Sequence, residues 1–318
     1  MRTCATSLNI YYINPVIINV NTNKISLTWK NNDVVTRIKK LNPSTCKTLE
    51  KIKRIMYKNM YNMCPVLIYT FKLANKYSKS LIHHILETLQ FTSIEYTNNV
   101  KEADIIFIHL LDETLVNSEG LTILINGESR DFLHNDFDIY IESKSPTNFF
   151  HIYYPEIFQS AITYFDRTTP LNEKTNFCAY MYSYDIPHRV KYFNLLTKYK
   201  LVHGLGKSMN NIKREIDRFN NNWKDISIEL YSKYKFVLAL ENIKCDGYST
   251  EKLLIPLIAN SIPIYYGSPD IFKYINKKRV IYIDDFNSDE ELLAYIKKVD
   301  NDDLLYKSIL EQDIYTDN

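Results

Sequence analysis

The densest run of chemically capable side chains in this sequence is Glu241-Asn242-Ile243-Lys244-Cys245-Asp246-Gly247-Tyr248-Ser249-Thr250-Glu251-Lys252. It follows an apolar stretch at 234–240 and leads into a helical stretch over 250–260. Ser249 or Thr250 can cap that helix, so its free N–H groups and positive dipole end face the loop. Lys252 stands in the first turn, where acidic residues are favoured. Positive charge added to a positive helix end fits a neighbouring anion such as phosphate. Glu251 suits the vicinal hydroxyls of a ribose or hexose, and Tyr248 offers a ring for base or sugar stacking. The plainer reading is a well-capped surface helix with an incidental lysine.

Other chemistries have weaker support. Glycine occurs only 6 times in 318 residues, and Gly127, Gly204, Gly206, Gly247 and Gly267 fall at strand or helix ends beside polar residues. None completes a GxGxxG or a GxxxxGK[ST] pattern, which excludes a standard dinucleotide oxidoreductase or P-loop enzyme. The 5 cysteines are odd in number and widely spaced, with no CxxC, and the histidines have no HExxH spacing. A disulfide framework or structural zinc site is not expected. Asp136-Phe137-Asp138 is a DxD of the kind that holds a metal in some nucleotide-sugar transferases.

The elements that must position these residues alternate. Buried strands are expected at 65–69, 103–108 and 121–125, with a short one at 94–96 and a helix over 77–89. Continuous apolar strands separated by helices indicate a parallel sheet covered on both faces. Residues 141–175 read as irregular and as the crossing between domains. A second series follows: strands at 177–182, 234–240, 262–267 and 280–283, helices at 189–200, 250–260 and 289–298. Ligands of such sheets bind beyond the carboxyl ends of the strands.

Residues 1–35 read as β-rich. Over 37–58 eight cations (Arg37, Lys39, Lys40, Lys47, Lys51, Lys53, Arg54, Lys58) face only Glu50, with apolar residues at helical spacing. This suits either a peripheral helix on an anionic membrane surface or a partly buried helix with a solvated Lys face. Lys+Arg 39 against Asp+Glu 37 leaves a formal charge of +2, which argues against a nucleic-acid partner for the whole chain. No apolar run is long enough to span a bilayer, and no signal-peptide pattern or Asn-x-Ser/Thr site occurs, so a cytoplasmic location is expected.

The segment 236–242, the run 246–252 and Ile262-Pro263-Ile264-Tyr265-Tyr266-Gly267-Ser268-Pro269 together resemble the signature of the α-1,3-fucosyltransferases, glycosyltransferase family ten. The similarity continues through Asp284-Asp285-Phe286. Upstream it includes Phe177-Cys178-Ala179-Tyr180, Arg189 and Val202-His203-Gly204-Leu205-Gly206. It covers roughly residues 65–300.

That resemblance implies an α/β protein of the GT-B type, two Rossmann-like doubly wound domains facing a cleft. Residues 61–165 would bind the acceptor, 166–318 would bind GDP-fucose, and 1–60 would be an extension. It implies Arg189 and Lys252 on the diphosphate, and Asn242, Tyr248 and Glu251 on the nucleotide and sugar. Gly204, Gly206 and Glu241 are further donor contacts. Glu128, in Asn126-Gly127-Glu128, matches the family's base position and would take the acceptor proton in an inverting transfer. An arginine and a lysine can stabilise leaving GDP without a metal, so no cofactor is required and Mn2+ would at most stimulate. The Phe-Asp pair of the DxD then belongs to the scaffold. The partners are GDP-fucose and an acceptor oligosaccharide or glycoconjugate. Two alternatives stay open: a GT-B transferase using another nucleotide sugar, and a catalytically silent glycan- or nucleotide-binding module.

Overall fold

The structure is a computed structural model that describes residues 17–21, 24–28, 43–60, 64–71, 82, 86, 91, 93–109, 118–127, 137–142, 151–153, 174–213 and 222–316. The chain divides into two compact units, Met1–Pro155 and Glu156–Asn318.

In the first unit, β1 (Ile17–Asn21) and β2 (Lys24–Thr28) form an antiparallel hairpin. Helix α1 (Pro43–Met60) follows. Strands β3 (Val66–Thr70), β4 (Ile94–Tyr96), β5 (Ile105–His109), β6 (Leu121–Asn126), β7 (Ile139–Glu142) and β8 (His151–Tyr153) build a parallel sheet in the order β4-β3-β5-β6-β7-β8. Every residue of β5 and β6 is buried, as apolar strands covered on both faces require. Successive side chains alternate between faces. Phe107, Ile123, Ile125 and Ile141 pack with Ile55 of α1 and with helical Ile82 and Leu86; Ile106, Ile108, Leu124 and Tyr140 form the other layer. The expectation of an irregular 141–175 is corrected by β8, which pairs with β7 at the sheet edge. A three-residue edge strand carries too little pattern to be read from sequence. Of the helix expected over 77–89, only Ile82 and Leu86 lie among the described residues.

Helix α1 is basic, but part of that charge is turned inward. Lys51 Nζ pairs with Asp138 at 2.8 Å, Lys58 Nζ pairs with Asp104 at 2.5 Å, and Arg54 Nη2 donates to the Glu119 carbonyl at 2.7 Å. Asp104 and Asp138 immediately precede β5 and β7. Of the two readings of 37–58, the partly buried helix fits Lys51 and Lys58, whose charges hold the helix to the sheet. Residues 37–40 lie outside the described residues.

In the second unit the elements are β9 (Asn176–Tyr180), α2 (Pro187–Thr197), β10 (Val202–Gly204), α3 (Trp223–Tyr231), β11 (Tyr234–Leu240), α4 (Glu251–Ile258), β12 (Ile262–Tyr266), β13 (Ile281–Tyr282), α5 (Asp289–Asn301) and α6 (Asp303–Leu310). Their strands are parallel, in the order β10-β9-β11-β12-β13. Phe236, Leu238 and Leu240 of β11 face α2, α5 and α6, whereas Val237 and Ala239 face α3 and α4. Strand order reverses between β9 and β11, and the crevice outside the carboxyl ends at such a reversal is where open sheets bind ligands.

Candidate functional site

Past the carboxyl end of β9 the chain leaves the sheet, and Tyr182 fills the gap. Its hydroxyl donates to the Leu238 carbonyl at 2.8 Å and accepts from the Leu240 amide at 2.6 Å. Burial pushes this phenol up to about 12, against the pull of Arg189 and Lys252. Arg189 packs over this ring, and Lys252 lines the same cavity as Tyr182.

Arg189 sits in the first turn of α2, which Pro187 opens with its preset backbone angle. It is 3% exposed. The guanidinium lies 4.0 Å over the Tyr182 ring. Its Nε and Nη2 donate to the Leu240 carbonyl at 3.2 and 3.0 Å, and Nη2 donates to Asn242 Oδ1 at 2.5 Å. Every partner is neutral, and among the described residues no carboxylate pairs with it. It is thus a buried cation whose partners carry no compensating charge. Next to it, His188 Nε2 bonds the Glu241 carbonyl at 2.9 Å, and its ring stacks on Tyr266 with centroids 4.4 Å apart. Burial holds the imidazole below its ordinary pKa.

Thr250 is the cap of α4, accepting from the Lys252 amide. Ser249 instead bonds the Tyr265 hydroxyl at 3.0 Å. The loop before it turns at Gly247, whose φ of 78° lies in the left-handed region that favours glycine. Its amide donates to Ser268 Oγ and Asp270 Oδ2. Lys252 Nζ lies 2.9 Å from Thr250 Oγ1, 3.4 Å from Glu241 Oε2 and 3.7 Å from Glu251 Oε1. Lys252 and Glu251 line a narrow cavity with Met181, Tyr182, Ser227 and Leu238.

Two placements differ from the sequence expectation. Glu241 is fully buried and its carboxylate is engaged by Thr250 and Lys252, so it does not present itself as a donor contact. Burial pushes its carboxyl up, opposed by Lys252. Tyr248 is 1% exposed, so its ring offers no open stacking face. Gly204 and Gly206 are sites of close backbone approach. A Cβ there would stand 1.9 Å from the Met209 carbonyl oxygen and 2.2 Å from that of Tyr182.

Glu128 lies outside the described residues. The strand leading to it ends at buried Asn126, whose Nδ2 is 3.5 Å from Glu142 Oε1. Asp138 of the DxD accepts from Lys51, from Thr48 Oγ1 and from the Thr122 amide and hydroxyl, which makes it scaffold. Among the described residues no cluster of three His, Cys, Asp or Glu could hold a metal, and no helix is long and apolar enough to cross a membrane. Sequence reasoning missed Tyr182. It is one of 26 tyrosines, and nothing in its flanks marks it.

Residues 171–311 match the profile of glycosyltransferase family 10 (fucosyltransferase), C-terminal part. A protein of Acanthamoeba polyphaga mimivirus that carries a fucosyltransferase name is 43% identical over 286 residues, 87% of this chain and 46% of that protein. The GDP-fucose protein O-fucosyltransferase 3 of Homo sapiens is 42% identical over 83 residues, 26% of this chain and 17% of that protein. The chain thus spans less than half the length of these relatives. A crystal structure of α1,3-fucosyltransferase with GDP-fucose superposes with a TM-score of 0.62 at 21% identity, over 78% of this chain and 82% of that one. The shared architecture is GT-B.

Proposed function

From the premise that this chain belongs to glycosyltransferase family 10, we propose that it is a fucosyltransferase that moves L-fucose from GDP-fucose to a hydroxyl of an acceptor glycan, O3 of GlcNAc or glucose, with inversion. The observation that carries this reading is Arg189 over the Tyr182 ring with Lys252 on the same cavity, at the strand-order reversal of the unit that matches the family profile. As the bond between the sugar and the diphosphate breaks, negative charge grows on GDP. Arg189 and Lys252 stabilise that charge, and their fixed placement makes the stabilisation effective during bond cleavage. Asn242 fixes the guanidinium, and Glu251 is near enough to Lys252 to meet the hydroxyls of the same donor. Tyr248 supports the donor loop from within, Gly206 brings backbone close to Tyr182, and Gly204 does the same against Met209. In the other unit, Glu128 takes the acceptor proton as that oxygen attacks.

Calorimetric titration with GDP and GDP-fucose, with and without Mn2+, tests the donor half. Binding of GDP without metal is expected; absence of guanine-nucleotide binding in both conditions removes the assignment, and tighter binding of GDP-mannose moves it to another nucleotide sugar. Glu128→Gln should keep GDP binding and abolish transfer, and activity surviving that change excludes Glu128 as base. A catalytically silent module would bind GDP and transfer nothing in the unaltered protein. A second reading concerns the acceptor alone. The similarity to GDP-fucose protein O-fucosyltransferase 3 favours a polypeptide hydroxyl as acceptor. Parallel assays on an N-acetyllactosamine and on folded protein acceptors separate the two.

A further inference from the structure

The buried Glu241 carboxylate has no route to a ligand, yet it is the group around which the cationic end of the site is assembled. The Thr250 amide donates to its Oε1 at 2.7 Å, and the Thr250 hydroxyl bonds Oε1 and Oε2 at 3.0 and 2.8 Å. The Lys252 ammonium lies 3.4 Å from Oε2 and donates to the same Thr250 hydroxyl at 2.9 Å. Glu241 is itself fixed from both sides. Its amide donates to the Tyr266 carbonyl at 2.9 Å, and its carbonyl bonds His188. Gly267 leaves room for the side chain, since a Cβ there would come within 2.9 Å of Glu241 Cγ.

We propose that Glu241 is a positioning residue, whose carboxylate fixes the first turn of α4 through Thr250 and holds the Lys252 ammonium in the orientation from which it meets the donor diphosphate. The inference rests on the donor reading above for its consequence in catalysis. The fixed carboxylate substitutes for water as the partner of Lys252, so the ammonium needs no reorganisation when charge develops on the leaving group. A carboxamide at 241 can still accept from the Thr250 amide and bond its hydroxyl. With its oxygen on the Thr250 amide, its NH2 replaces the charged oxygen that faces Lys252, so the ion pair is lost while the cap contact remains.

The test is a double-mutant cycle with Glu241→Gln and Lys252→Met. Glu241→Gln should lower kcat for transfer by about 10- to 100-fold, the range expected when a charge-stabilising group is misplaced, with KM for GDP-fucose changed by less than about threefold. In the Lys252→Met background the same change should have no further effect on kcat. A wild-type kcat in Glu241→Gln overturns the proposal. So does an equal loss in both backgrounds, which would mark Glu241 as a merely structural group. If Glu241→Gln fails to fold, Thr250→Val takes its place in the cycle, removing the hydroxyl that touches both charges. A readout independent of the donor is the 15N signal of the Lys252 ammonium, assigned by its loss in Lys252→Met. It should shift and exchange faster with water in Glu241→Gln, and an unchanged signal also overturns the proposal. Failure of the unaltered protein to bind GDP would instead refute the donor reading, leaving the ammonium signal to decide whether Glu241 holds Lys252.

Discussion

The two sheets use the same residue types at opposite ends. In the first unit, lysines of α1 reach Asp104 and Asp138 at the amino ends of β5 and β7. In the second, Arg189, Glu241 and Lys252 gather where β9 and β11 end. The second unit also has an amino-end staple: Asp300 takes Lys200 and Lys235, the latter from the start of β11. Amino-end pairs are closed, because each charge meets an opposite charge of the scaffold. At the carboxyl end Arg189 meets only the Leu240 carbonyl and the Asn242 amide oxygen, whereas Lys252 shares the Thr250 hydroxyl and lies 3.4 Å from Glu241 and 3.7 Å from Glu251. Arg189 is thus the cation in this comparison that meets no carboxylate among the described residues, in contrast to the lysines at the amino ends.

The sharpest way to break this contrast is to remove one cation from each end. Lys252→Met should cost about 10²–10³ in kcat/KM, the loss typical of one transition-state donor, and its melting temperature should fall as well, because the buried Glu241 carboxylate loses its cation. Lys51→Met should leave kcat/KM unchanged and lower thermal stability. Equal activity losses would dissolve the distinction.

Asp138→Asn comes next, with an expected loss of about 2–3 kcal/mol in denaturant unfolding, since a half-satisfied buried site replaces a charged one. Burial would raise this carboxyl, but the bonds from Lys51, Thr122 and Thr48 win and lower it. A folded pKa below the unfolded value of about 3.9 gives stability that is present above that value. It is lost as pH falls through the folded pKa, so Asp138→Asn should flatten the acid limb of the stability profile below about pH 4. Tyr182→Phe should cost about 1–2 kcal/mol, since the Leu240 amide and Leu238 carbonyl lose their partner. Phenylalanine keeps the ring under Arg189, so GDP binding should change little. The smallest effect is expected at exposed Lys53, where Ala should change unfolding by less than about 0.5 kcal/mol.

Most strands were legible because they are apolar runs at the spacing a two-sided sheet demands. The cap at Thr250 and the cation at Lys252 were legible because both lie within one turn of a helix. What could not be read is what depends on distance along the chain. Lys51 and Asp138 are 87 positions apart, so the basic stretch looked like a surface charge run. Glu241 follows an apolar strand and stands beside a polar loop, and only the packed structure shows it to be covered. Helix α6 was likewise hidden, because its acidic flanks obscured the stripe of Tyr306, Ile309 and Leu310 that it buries.

The separation between Lys51 and Asp138 also matters while the chain is being made. At about 5–20 residues per second, Asp138 leaves the peptidyl-transferase centre roughly 4–17 seconds after Lys51. Through that interval Lys51 lacks its counter-ion, while Lys58 meets Asp104 as soon as residue 104 and the strand after it are made. The two ion pairs of α1 thus form in chain order, Asp104 first and Asp138 last, so its final charge is neutralised only when the start of β7 has been synthesised.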